Sequence, residues 1–203
     1  MEIQRKVYVV DDDAEVRASL ARLMKEISLP VEAASTANEF LETYDPNCVS
    51  CLVVDVRMPG ASGIDLQRKL LEDGIAIPVI VISGHGDIPL AVEAMKLGAL
   101  DFLEKPFRAQ SLLDRVQQAL AMDERQREER AERASVAGSW GLLTQREQEV
   151  VDLVVEGLTN KEIAARLGVS PQAIDAHRGK AFTKLGVHSV AGLVKVALTV
   201  GAQ

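Results

Sequence analysis

Residues 1–122 predict an α/β fold, a doubly wound parallel sheet of five strands, and residues 141–203 predict a small all-α domain of four helices. Three observations carry this. Short Val- and Ile-rich runs alternate with helix-patterned segments in the first part, as parallel strands with helical crossovers do. A polar residue follows each of several runs: Asp11 and Asp12 after Val7-Tyr8-Val9-Val10, Asp55 after Leu52-Val53-Val54, Ser83 after Val79-Ile80-Val81-Ile82, and Lys105 just after Phe102-Leu103. Beyond residue 141 the pattern is helical only.

Taken in order, strands are expected near 6–10, 31–34, 51–55, 79–82 and 101–104, with helices near 14–27, 36–43, 63–73, 88–97 and 109–122. Asp13 is expected to cap the helix beginning near Ala14, because acids favour helix N-termini. Met58-Pro59-Gly60 and Ser62-Gly63 form a tight loop after Asp55, and Gly84-His85-Gly86-Asp87 a flexible one after Ser83. Leu112, Leu113, Val116 and Leu120 give the fifth helix one buried face, and the apolar stripe stops after Met122. Residues 123–140 mix both charge signs, with Arg125, Glu129 and Arg133 at i,i+4 spacing, so a solvated helical linker is expected, ending in a small-residue hinge at Ser135–Ser139. It has no apolar seam for a coiled coil.

In residues 141–203, Thr144 with Glu147 is a capping box for a helix ending near Gly157. Asn160 is expected to cap the next helix, through Ile163, Ala164 and Leu167. Gly168-Val169-Ser170 is a tight turn, and Ser170 caps a further helix that starts with Pro171 and ends near Gly186. Two helices across so short a turn are a helix-turn-helix candidate.

Composition narrows the class. With 203 residues and 47% hydrophobic content the chain can bury packed cores. No stretch approaches the roughly 20 apolar residues of a membrane span, and the charged start leads into a strand, so a cytoplasmic location without membrane contact is expected. Cys48 and Cys51 lack a second pair or a nearby His, and are read as ordinary cysteines, one of them buried at a strand start. The net charge of -7 opposes nucleic-acid binding on average, but residues 141–203 hold four Lys and three Arg against six acids and are near neutral.

Ligands of parallel sheets bind outside the carboxyl ends of the strands, so Asp11, Asp12, Asp55, Ser83 and Lys105 are expected to converge there. Three carboxylates, a hydroxyl and an ammonium suit a divalent cation and a phosphoryl group, with Asp55 as acceptor. An aspartate-nucleophile phosphotransferase is the rival in the enzyme class. Such enzymes commonly carry a second acid two residues after the nucleophile, and Arg57 stands at that position.

The ordered motifs are similar to those of the two-domain response regulators of the FixJ/NarL family: Val9-Val10-Asp11-Asp12-Asp13, Asp55-Val56-Arg57-Met58-Pro59-Gly60, Ser83-Gly84-His85-Gly86-Asp87, Val92-Glu93-Ala94-Met95-Lys96 and Asp101-Phe102-Leu103-Glu104-Lys105-Pro106-Phe107. Leu143-Thr144, Arg146-Glu147, Gly157 to Ala164 and His177 to Leu185 continue the match into a LuxR-type helix-turn-helix domain. The resemblance implies a flavodoxin-like receiver (1–122), a linker (123–140) and a DNA-binding domain (141–203). It implies that Asp55 accepts a phosphoryl group from a sensor histidine kinase, with Mg2+ on Asp11, Asp12, Asp55 and the Arg57 carbonyl. Lys105 and Ser83 then contact the phosphoryl group; Ser83 keeps the hydroxyl where many relatives carry Thr. Phe102 matches an aromatic switch, and Val92, Lys96 and Asp101 lie on the surface that relatives use to form a homodimer.

For the output domain the resemblance implies double-stranded promoter DNA and RNA polymerase as partners. Lys161, Arg178, Lys180 and Lys184 are the candidate positive contacts, His177 packs or touches phosphate, and Asp175, Ala176 and Gly179 occupy positions that face bases in relatives. The protein is expected to be no enzyme beyond catalysing its own phosphoryl transfer and dephosphorylation.

Overall fold

A computed structural model describes residues 4–84 and 88–201; His85, Gly86 and Asp87 of the loop after Ser83 lie outside the described residues. The elements run β1 (Arg5–Val10), α1 (Ala14–Glu26), β2 (Val31–Ala34), α2 (Ala37–Thr43), β3 (Val49–Asp55), α3 (Gly63–Glu72), β4 (Val79–Ser83), α4 (Ile88–Lys96), β5 (Asp101–Glu104) and α5 (Ala109–Gly141). Then follow α6 (Gln145–Val155), α7 (Asn160–Leu167), α8 (Pro171–Leu185) and α9 (Val190–Gly201). Two compact units emerge, Met1–Arg127 and Glu128–Gln203.

In the first unit the strand order is β2-β1-β3-β4-β5, all parallel. Alternate residues feed two separate cores. Tyr8, Val10, Leu52, Val54, Val79 and Val81 pack with α2, α3 and α4. Val7, Val9, Val53, Ile80 and Ile82 pack with α1 and α5. Burial on both faces is why the strands read as continuous apolar runs rather than as alternating ones. Register aligns Val10 with Val54, Asp55 with Ile82 and Ser83 with Glu104, so the residues ending these strands share one edge.

Three expectations are corrected. The cap of α7 is Thr159, not Asn160: Thr159 and Glu162 form the capping box that the Thr-x-x-Glu spacing permits, and Asn160 is the first helical residue. The hinge expected at Ser135–Ser139 is absent among the described residues, because α5 continues to Gly141. Strong helix formers lead up to that segment, and Trp140 packs against the helical core, which holds the small residues in helix. The linker is also not solvated from its start, since Asp123 is fully buried: its Oδ2 accepts from Ser50 N–H at 2.9 Å and from Arg127 Nε at 2.6 Å. Arg127 donates as well to the Pro46 carbonyl.

Both cysteines are buried and free, not one alone, because β3 begins at Val49 and pairs from its first residue with β1. Burial pushes both thiols above their ordinary pKa, with Asp123 adding at Cys51 and Asp45 at Cys48, so neither is a ready thiolate. Among the described residues no single helix is long and apolar enough to cross a membrane.

The second unit wraps α6 to α9 around Val150, Val151, Ile163, Ile174, Ala181 and Leu193. Thr144 with Glu147 closes the capping box of α6, and Ser170 caps α8 with Pro171 in its first turn. Gly168, at φ 66°, supplies the left-handed turn that lets α8 follow α7 so closely.

Candidate functional site

The carboxyl edge of the sheet brings Asp11, Asp55 and Lys105 into direct contact. Lys105 Nζ lies 2.7 Å from Asp55 Oδ1 and 2.8 Å from Asp11 Oδ2. Asp11 is 1% and Asp55 7% exposed, so both carboxylates are largely withdrawn from water. Burial opposes the Lys105 charge, yet hydrogen bonds and charges from Asp11 and Asp55 outweigh it and hold the ammonium above its ordinary pKa. The second oxygen of Asp55 accepts from the Arg57 backbone N–H at 2.6 Å, and Asp11 Oδ1 accepts from Asp13 N–H at 2.9 Å. Asp13 also caps α1, accepting from Glu15 and Val16, as expected.

Ser83 is fully buried at the end of β4, and its carbonyl accepts from the Lys105 N–H at 2.7 Å, which ties those two residues together through backbone. Asp12 is exposed beside Asp11, and the Arg57 side chain is exposed after Asp55. Among the described residues no three His, Cys, Asp or Glu side chains are arranged to hold a metal ion. Mg2+ needs only one or two carboxylates besides water, carbonyl or phosphate oxygens, and Asp11 and Asp55 converge in that number, so the donor set fits it.

Two residues that sequence reasoning did not assign to the site hold this edge. A Cβ on Gly63 would lie 2.2 Å from the Asp55 carbonyl oxygen, so only glycine lets α3 begin directly against Asp55. Its N–H donates to the Val56 carbonyl at 3.0 Å. The glycine was legible as a loop residue, but a close approach between residues 55 and 63 has no signal in spacing alone. The other is Arg17, whose Nη1 donates to the Asp11 and Asp12 carbonyls.

Phe102 is partly buried, opposite Val81, and packs against the core that α2, α3 and α4 share. On α4, Val92 is 48% exposed, with Ile88 and Met95 also open to solvent. Lys96 is exposed nearby, whereas Asp101 is engaged by Arg115 Nε at 2.5 Å.

In the second unit the candidate DNA-facing residues of α7 and α8 fall into two groups. Asp175, Ala176, Gly179 and Lys180 are exposed, as is Lys161 at the start of α7. A side chain on Gly179 would meet nothing within 4 Å, so the backbone itself is accessible there. His177, Arg178 and Lys184 are partly buried. Arg178 donates to Asn160 Oδ1 and stands 5.9 Å from the Phe182 ring centroid, while Asn160 Nδ2 donates to Asp175 Oδ1 at 3.3 Å. Lys184 Nζ lies 2.6 Å from the buried Glu147. That bond, with the Thr144 backbone N–H, lowers the Glu147 pKa to about 2.

Residues 7–117 match the response regulator receiver domain model, and residues 141–197 match that of the bacterial regulatory proteins of the luxR family. The chain is 45% identical to Nodulation protein W of Bradyrhizobium diazoefficiens over 195 residues, 96% of this chain and 86% of that one. It is 44% identical to the transcriptional regulatory protein FixJ of Azorhizobium caulinodans, again over 195 residues, covering 96% and 92%. Among solved structures it resembles the response regulator StyR, with TM-score 0.89, 42% identity and coverage of 96% and 98%. Full-length FixJ from B. japonicum gives TM-score 0.59 at 36% identity, covering 99% of both chains.

Proposed function

The chain belongs to the response regulators that join a receiver domain to a LuxR-type DNA-binding domain and regulate transcription by phosphorylation, and from that premise we propose that Asp55 is the phosphoacceptor. The observation that carries this is the contact of Lys105 with both Asp55 and Asp11. Asp11, Asp12, Asp55 and the Arg57 carbonyl would hold Mg2+, whose positive charge would offset carboxylate and phosphate. An Asp55 carboxylate oxygen attacks the phosphorus of a phosphohistidine on a sensor kinase, or of a small phosphodonor. The P–N or P–O bond to the donor breaks, and the leaving group departs with its electron pair. Lys105 moves its hydrogen bond from Asp55 to a phosphoryl oxygen, and the Ser83 hydroxyl donates to another. The chain itself catalyses this transfer and the later hydrolysis, and acts on no other substrate.

The acyl phosphate then biases a two-state surface. Ser83 moves toward the phosphoryl group, Phe102 turns inward into the space this leaves, and the region of Val92, Lys96 and Asp101 pairs with a second copy. Asp101 is held by Arg115 within the chain, so a Lys96–Asp101 bridge across the dimer requires exchange of that partner. Dimerisation brings two α8 helices to double-stranded promoter DNA, where RNA polymerase is the further partner. Lys161 and Lys180 anchor phosphates, His177, Arg178 and Lys184 support the helix beside them, and Asp175, Ala176 and Gly179 face the bases. Residues 1–122, 123–140 and 141–203 serve as receiver, linker and output, in the cytoplasm and away from membranes.

The test is a footprint or gel shift against genomic fragments, with light scattering, before and after acetyl phosphate and Mg2+. Phosphorylation is expected to convert monomer to dimer and to raise DNA affinity. An unchanged mass together with unchanged DNA affinity would overturn the switch.

A further inference from the structure

Asp11 is fixed at every polar atom. Its N–H donates to the Ala34 carbonyl at 3.3 Å, its Oδ1 accepts from Asp13, and its Oδ2 accepts from Lys105. Its carbonyl is held by a residue from the second turn of α1: Arg17 Nη1 donates to Asp11 O at 2.6 Å and to Asp12 O at 2.9 Å. Arg17 is partly buried, so a charge has been drawn in from solvent to hold two backbone oxygens rather than a carboxylate. The carboxyl of Glu39 on α2 is held below the ordinary range first by the Ser35 backbone and hydroxyl and, to a smaller extent, by the Arg17 charge.

We propose that Arg17 is a positioning residue for the divalent cation: by pinning the carbonyls of Asp11 and Asp12 it sets the backbone of the acidic loop that carries Asp11 beside Lys105 and Asp55. This rests on reading that edge as an Mg2+-dependent phosphoacceptor. Outer partners that orient metal-binding groups typically change metal affinity by about 10-fold to 100-fold when removed. Here the sign of the change separates two physical roles. A positive charge near the carboxylates opposes a second cation, so loss of charge alone tightens Mg2+ binding. Loss of positioning weakens it, because the acidic loop is then free to leave the ligating geometry.

Calorimetric titration of Mg2+ into the full chain, compared with Arg17→Ala and Arg17→Lys, decides between them. Arg17→Ala is expected to raise the Mg2+ Kd by roughly 10-fold. In acetyl phosphate labelling it is expected to raise the Mg2+ concentration for half-maximal rate while leaving the rate at saturating Mg2+ near that of the wild type. Arg17→Lys keeps a donor and the charge, and is expected to lie between the two. Circular dichroism reports whether each variant is folded, and the Lys variant alone carries the comparison should the Ala variant fail to fold. Equal or tighter Mg2+ binding by the folded variants overturns the positioning role while leaving the site assignment intact. A wild-type chain that binds no Mg2+ overturns the site assignment, and the role of Arg17 with it.

Discussion

The two ends of the sheet each bury carboxylate against a cationic side chain, and they differ in how the charges balance. At the carboxyl end, Asp11 and Asp55 share the single ammonium of Lys105, with Asp12 exposed beside them. At the amino end, Asp123 alone faces Arg127, and the same Asp123 oxygen, Oδ2, also accepts from the Ser50 N–H. The first arrangement leaves negative charge over; the second is neutral, and Asp123 is 0% exposed. A buried acid is therefore not by itself a site. What marks one is an excess of like charge that the chain's own cations leave unbalanced.

Replacing Lys105 with Met should break the carboxyl end most severely. Labelling by acetyl phosphate should slow by about 10²-fold to 10³-fold, as when a preorganised transition-state donor is lost. Because Asp11 and Asp55 then face each other unneutralised, Mg2+ should raise the melting temperature of the variant more than that of the wild type. Equal Mg2+ stabilisation of both would contradict the charge-excess argument.

At the amino end the effect should be on stability alone. Arg127→Met leaves Asp123 buried without its cation and should cost about 3 kcal/mol in urea unfolding, the low end for breaking a buried pair, since Arg127 is partly open to water. Labelling of the surviving folded protein should be unchanged. A comparable loss of labelling would mean that the two ends are coupled rather than merely alike.

The helical unit supplies a third acid–cation pair, Glu147 with Lys184, balanced one to one like the amino end. The folded pKa of Glu147, about 2, lies below its ordinary 4.5, so the pair stabilises fully above about pH 4.5 and its contribution disappears as pH falls through 2. Trp140 packs against this core and its emission reports unfolding. Stability read this way should decline across that window in the wild type, and Glu147→Gln should flatten the decline.

The smallest effect concerns DNA. Lys180 is exposed and Lys184 is paired, so Lys180→Ala should reduce the salt dependence of binding by about one phosphate contact, whereas Lys184→Ala should leave the slope unchanged in folded protein. Equal slopes for both variants would show that Lys184 leaves Glu147 to reach the backbone of DNA.

These contrasts also explain what the sequence made legible. The strands and the residues ending them could be read because apolar runs and chemically demanding residue types occupy the same few positions; β3 began two residues earlier than expected, at Val49, and β1 one earlier, at Arg5. Asp123 could not be read so, since it opens a run of mixed charge that resembles a solvated face, and its partner Ser50 is 73 positions away. Gly63 and Arg17 act through backbone carbonyls, which carry no residue signature. On α8 the residue types were evident, but spacing along one helix could not reveal that Asn160 and Glu147, from other helices, engage Arg178 and Lys184.

Under the proposed function, the charge excess at the carboxyl end binds Mg2+ and Asp55 receives the phosphoryl group. Mass spectrometry of the intact protein and of Asp55→Asn, each incubated with acetyl phosphate with and without Mg2+, tests it most directly. One hydroxylamine-labile phosphoryl group should appear on the wild type only with Mg2+, and none on the variant, with both proteins folded. Stoichiometric labelling of Asp55→Asn, or labelling of the wild type that is indifferent to Mg2+, would contradict the account.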